Sequence, residues 1–242
     1  MERVVYEQMA ELDDRHWWYK ARRQIIADLI RREAKLPSNA QILEIGCGTG
    51  HNLAMLAGFG LVDGLELDDE ARAISEKRLG RKIMRSPLPE LAEVKDGHYD
   101  LIGAFDVIEH IDDDNAALAS IATKLKPGGK FIMTVPAHQW MWTAHDVVNH
   151  HKRRYSKRGL RALVEGSPLN LDKLGYFNSL LFPLAVVERA ASKFRGKEDG
   201  DVKLPARPLN AALELVFSAE RHFVGRLPFP IGLSLFAVAS AR

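Results

Sequence analysis

The chain has 242 residues, 46% of them hydrophobic and 27% charged, with a formal net charge of +2. That is enough apolar material for a full core, and a near-neutral balance with no basic stripe argues against nucleic acid as a partner. The single cysteine excludes an intramolecular disulfide or a cysteine metal cluster, and the charged start with no apolar signal region predicts a reducing, cytoplasmic location.

A helix is predicted over 21–34, where Ile25, Ile26, Leu29 and Ile30 fall at helical spacing and Pro37 follows. Short apolar runs then alternate with amphipathic segments. Strands are predicted at 41–45, 61–67, 82–84, 99–105 and 130–135, with helices from His51, over 69–79 and over 113–126, the last ended by Pro127-Gly128-Gly129. Repeated βα units predict a mostly parallel sheet with helices on both faces and a ligand site at the carboxyl ends of the strands.

Beyond Pro136 the pattern changes to a polar and aromatic loop running to Tyr155, a helix capped by Ser156, a strand at 169–177, an apolar helical insertion over 180–226 and a last strand at 233–239. The apolar stretches 180–187 and 227–241 are broken by Pro, Gly or Ser and fall short of a membrane span. The charged stretch from Gly196 to Asp201 reads as a mobile loop. The expectation is one α/β domain over 1–242: an N-terminal arm and helix (1–36), a cofactor-binding core (37–135), substrate-side loops and the insertion (136–232) and a final strand (233–242).

Gly46, Gly48 and Gly50 directly follow an apolar strand and open a helix, a setting in which bare backbone can approach a ligand and helix N–H groups face it. Glu66 ends the next strand, where a carboxylate can accept from both hydroxyls of a ribose. The dinucleotide fingerprint is Gly-x-Gly-x-x-Gly, whereas this turn is Gly-x-Gly-x-Gly preceded by Glu44. An acid there would repel a pyrophosphate but would favour a sulfonium and an ammonium.

The segment Leu43-Glu44-Ile45-Gly46-Cys47-Gly48-Thr49-Gly50 resembles the first motif of the class I S-adenosylmethionine-dependent methyltransferases, and Gly64-Leu65-Glu66-Leu67-Asp68 resembles the second. Further resemblance lies in Tyr99-Asp100-Leu101-Ile102, Phe105-Asp106-Val107-Ile108-Glu109-His110 and Leu125-Lys126-Pro127-Gly128-Gly129-Lys130. Flanking segments, His16 to Arg23 and His151-Lys152-Arg153-Arg154-Tyr155, are similar to a bacterial small-molecule-type branch. The resemblance implies a Rossmann-like, seven-stranded sheet whose last strand is antiparallel and follows the helical insertion. It implies S-adenosyl-L-methionine as cofactor and S-adenosyl-L-homocysteine as product. Glu44, Gly46, Cys47, Gly48 and Gly50 would meet the methionine moiety, Glu66 with Leu67 beside it the ribose, and Asp106 and Val107 the methionine and acceptor side. The family often places an acid after the third strand for the adenine amino group; here Ser86 stands in that stretch, with one hydroxyl to offer.

Methyl transfer needs no covalent nucleophile, so the candidates are bases: His110, His145, Asp146, His150 and His151, all in loops at the carboxyl edge, with His145 first among them. His145, His150 and His151 lack a fourth ligand and a recognised spacing, so no metal is assigned. Trp17 and Trp18 stand before the first predicted helix, either closing over the cofactor or anchoring the arm. Trp140, Arg153, Arg154 and Tyr155 are candidates for the substrate side. The insertion is expected to pack on the sheet edge or form a homodimer, with peripheral membrane contact as the other use of its apolar surface. The predicted function is methyl transfer to a small or lipid-like acceptor. A nicotinamide-dependent oxidoreductase and a non-catalytic S-adenosylmethionine-binding protein are the alternatives.

Overall fold

The computed structural model describes residues 10–195 and 204–242, so the stretch from Gly196 to Asp201 lies outside the described residues. Its centre is one sheet. Helix α1 (Trp17–Glu33) precedes strand β1 (Gln41–Ile45), followed by α2 (His51–Leu56), β2 (Leu61–Leu65), α3 (Asp69–Leu79) and β3 (Tyr99–Phe105). Then come α4 (Asp114–Lys124), β4 (Leu125–Pro136), α5 (Ala144–Val148), α6 (Lys157–Glu165), β5 (Leu169–Phe177), α7 (Phe182–Arg195), α8 (Arg207–Ala219) and β6 (Ser234–Ala241). Strand order is β2-β1-β3-β4-β6-β5; β6 runs antiparallel to both β4 and β5, while the other pairs are parallel. Order reverses between β1 and β3, which opens a crevice beyond their carboxyl ends.

The sheet has six strands, not seven. The segment predicted as the third strand makes only the Leu65–Met84 bridge, with Met84 N–H donating to the Gly64 carbonyl at 2.9 Å. Pro87 and Pro89 follow at once, and a residue without an N–H cannot extend a ladder.

Strands β1 and β3 and the 131–135 stretch of β4 are buried almost throughout, as a parallel sheet covered on both faces requires. One face packs on a cluster containing Leu118, Ile121, Leu160 and Val164; the other on Ile25, Ile26, Leu29 and Leu53. The first helix begins four residues earlier than its apolar spacing predicts. Trp17 N–H donates to Asn210 Oδ1 at 3.0 Å and Trp18 N–H to His16 Nδ1 at 3.3 Å, so a contact from α8 and the His16 ring together cap it. Trp17 and Trp18 are therefore helical, and do not form an arm in front of the helix.

Candidate functional site

At the end of β1 the chain turns through Gly46, Gly48 and Gly50, all at positive φ (66°, 54° and 84°). A Cβ on Gly46 would meet Val107 Cγ2 at 2.7 Å, and one on Gly50 would meet the Ser75 backbone at 3.0 Å, so only glycine fits either place. The β1–β2 register pairs Ile45 with Leu65, which brings Glu66 beside the turn. Its carboxylate accepts from Gly48 N–H (2.8 Å), Leu67 N–H (2.8 Å) and Asp68 N–H (2.9 Å). Glu44 differs from it. It is 1% exposed; Asn52 Nδ2 donates to Oε1 at 2.8 Å, and Oε2 has no partner. Burial pushes its carboxyl up to about 8, with Asn52 and Arg22 opposing.

The Cys47 thiol is buried and its titration is pushed upward by that burial and by Glu44 and Glu66. Leu67 is exposed beyond Glu66. Ser86 is buried, and its hydroxyl oxygen accepts from Glu93 N–H at 3.2 Å.

The other wall follows β3 and β4. Asp106 sits at φ +59° and is held by Arg22 Nη2 at 2.6 Å and by Thr134 Oγ1 at 3.1 Å. Arg22 also lies over the Trp18 ring at 5.0 Å. A 3-10 turn over Ile108–His110 then carries Glu109 fully inward, with neither carboxylate oxygen hydrogen-bonded. Burial, reinforced by Asp106, raises its carboxyl well above the ordinary range. The ligating atoms of Glu109, His110 and His151 lie within 4.8 Å of one another. Burial, then the neighbouring His151, holds the His110 imidazole down to about 4, so it is neutral at physiological pH.

Asp146 organises the facing loop. It is fully buried and accepts from His151 Nδ1 (2.8 Å), from Arg154 Nε and Nη2 (2.8 Å each) and from Thr143 N–H (2.7 Å). Although burial opposes ionisation, the His151 and Arg154 hydrogen bonds hold its carboxyl far below the usual range.

A family model described as a methyltransferase domain matches residues 17–174, about two thirds of the chain. The chain belongs to the class I S-adenosylmethionine-dependent methyltransferases. Among curated relatives, a ubiquinone biosynthesis O-methyltransferase of Nitrosospira multiformis is 27% identical over 132 residues, 52% of this chain and 50% of that one. The chain thus spans about half the length of the curated relatives it matches. Two of the solved structures that share the fold illustrate the likeness. One is a SAM-dependent methyltransferase from Archaeoglobus fulgidus, with TM-score 0.55 and 14% identity over 90% of this chain and 94% of that one. The other is phosphoethanolamine N-methyltransferase 2 of Haemonchus contortus with S-adenosyl-L-methionine, at TM-score 0.57 and 17% identity over 90% and 52%. These comparisons give no support to an oxidoreductase or to a non-catalytic binding protein.

Within this methyltransferase the predicted site residues divide. The glycine turn, Glu44, Glu66, Asp106 and Val107 converge on the β1–β3 crevice. His110, His151 and Asp146 gather on its far side, whereas His145 and His150 are exposed, the His145 ring 6.4 Å from that of His151. The basic segment is committed internally: Arg154 to Asp146, and both Arg153 Nη1 and the Tyr155 hydroxyl to Asp114 Oδ2 at 2.8 and 2.7 Å. Trp17 packs edge-on against Phe217 of α8, the anchoring position, while Trp140 is 57% exposed beside His138 and Phe182. Sequence reasoning gave no site role to Arg22, Asp13 or His51. Asp13 pairs with Arg23 and, at 2.7 Å, with His51 just after the glycine turn, which ties the segment before α1 to that turn. Glu109 was visible only as part of a motif.

Proposed function

We propose that the chain transfers a methyl group from S-adenosylmethionine to a hydroxyl of a small, apolar acceptor. The observation that carries this reading is Glu44, a buried acid with one oxygen lacking a hydrogen-bond partner, two residues before a glycine turn that has no room for a Cβ at Gly46 or Gly50. A buried acid with an unpartnered oxygen is costly to ionise, and a cationic ligand is what lowers that cost. When bound, S-adenosylmethionine would supply an electrophilic methyl carbon on a sulfonium sulfur, to which an acceptor oxygen bonds in line as the C–S bond breaks, its electron pair staying on sulfur and the hydroxyl proton leaving the acceptor. In this reading Gly46, Cys47, Gly48, Gly50 and Glu44 hold the methionine end, and Glu66 the ribose through lone pairs beyond its three backbone donors. Leu67 and Ser86 lie on the adenine side, and Asp106 with Val107 bounds the methyl edge.

The acceptor-facing role falls to His110 and His151 rather than His145, because Asp146 fixes one His151 ring nitrogen and leaves the other turned toward Glu109. Oxygen as the receiving atom fits the O-methyltransferase relatives. An apolar acceptor fits Trp140 and the exposed Leu180, Leu184 and Val187 around α7; contact with a membrane surface or a second copy of the chain are further uses of that patch. No helix among the described residues is long and apolar enough to cross a membrane, and we propose a cytoplasmic location. Methyl-labelled S-adenosylmethionine supplied with cell extract tests the reading: label should enter the organic-soluble fraction, and label confined to water-soluble products would overturn the apolar acceptor.

A further inference from the structure

The carboxylate of Glu109 is 0% exposed, with no hydrogen bond to either oxygen. Among the described residues no arginine or lysine bonds to it: Arg22 is engaged with Asp106 and Thr134, and Arg154 with Asp146. The groups that do face it are imidazoles. His151 Nε2 stands 4.0 Å from Glu109 Oε1, and the His110 ring meets the His151 ring edge-on at 4.7 Å.

His151 uses Nδ1 on Asp146, itself clamped by Arg154 and Thr143. Its ring is thereby fixed in the tautomer that leaves Nε2, the nitrogen nearest Glu109, with a lone pair. Imidazoles held from behind by a carboxylate or carbonyl are the usual outer support of metal-bound histidine.

We propose that Glu109, His110 and His151 form a site for a divalent transition-metal cation of the Zn²⁺ type. Two imidazoles and one carboxylate suit such an ion better than Mg²⁺ or Ca²⁺, which take oxygen donors. Around a tetrahedral ion at about 2.1 Å the ligand atoms stand about 3.4 Å apart, so the trio needs only to draw in by roughly an ångström. Three protein ligands leave a fourth position open. The 3-10 turn carrying Glu109 directly follows Val107, whose side chain would meet a Cβ on Gly46 at 2.7 Å, so the trio stands beside the glycine turn and the open position is assigned to the acceptor side of the crevice. An acceptor hydroxyl bound there loses its proton more readily, as a metal-bound water does. This role for the ion rests on the proposed function; the binding of the ion does not.

The test is a titration of chelator-stripped protein with Co²⁺, read by its visible absorption, with Zn²⁺ in competition and calorimetry of S-adenosylmethionine in the same preparation. One Co²⁺ per chain is expected, displaced by Zn²⁺. Affinity should fall at least tenfold in Glu109→Gln and His151→Asn, and about ten- to a hundredfold in Asp146→Asn, which acts through His151. A His98→Asn control, at the opposite end of β3, should bind as wild type does. Wild-type protein that takes up no Co²⁺, or Glu109→Gln protein that binds it equally well, overturns the site. Retained Co²⁺ uptake with no affinity for S-adenosylmethionine would support the site and count against the proposed function.

Discussion

The two walls of the crevice are built on the same plan with different parts. Each has one acid saturated with donors and one left wanting. After β1 and β2, Glu66 takes three backbone N–H groups while Glu44 keeps a bare oxygen. After β3 and β4, Asp146 takes an arginine, a histidine and a threonine while both oxygens of Glu109 go without. Saturated acids shape a site, because breaking them leaves donors stranded; starved acids are places where a cation from outside has something to gain. The walls differ in reach. The hydrogen bonds of the first come from within one strand–helix–strand unit, those of the second from side chains of a separate loop.

The largest effect that can break this comparison is at Asp146. Replacing it with alanine leaves Arg154 buried without its partner and should cost about 3–5 kcal/mol in a denaturant titration; a loss under about 1 kcal/mol would show that the loop is held by something else. Next comes Glu66→Ala, which removes hydrogen bonds to a charged group worth about 1.5–3 kcal/mol. S-adenosylmethionine affinity by calorimetry should drop roughly ten- to a hundredfold, and unchanged affinity would place the ribose elsewhere. The subtlest is Glu44→Gln. With its folded titration near 8, wild-type Glu44 is mostly protonated at neutral pH, so binding a cation beside it should release up to about one proton. Calorimetry in buffers of different ionisation heat should show that release in wild type and none in the variant. A carboxyl raised by folding contributes stability that is full below the ordinary carboxylate range and fades as pH climbs through about 8. Glu44→Gln should abolish that decline.

What could be seen in the sequence follows the same division. The glycine turn, Glu44 and Glu66 lie within one strand–helix–strand unit, where φ requirements and spacing are local, so residue types alone revealed them. The loop wall depends on meetings between distant residues: Arg22 with Asp106, Tyr155 with Asp114, His151 with Glu109. No periodicity announces those. His145 stood out as a histidine in the right loop, yet the helical turn of α5 points Asp146 inward and leaves His145 outside. The early start of α1 comes from Asn210, nearly two hundred residues away, and the missing third strand from two prolines that stop the ladder after Met84.

The placing of β6 has a consequence for how the chain is made. That strand lies between β4 and β5, yet it is synthesised after both and after the whole of α7 and α8. Until it emerges, β4 has an uncovered edge and β5 has no strand to pair with, so the half of the sheet beyond β4 closes late. Domains of this size expose unpaired edges to aggregation while they wait. For this chain the vulnerable interval during translation is set by the length of the helical insertion that separates β5 from β6.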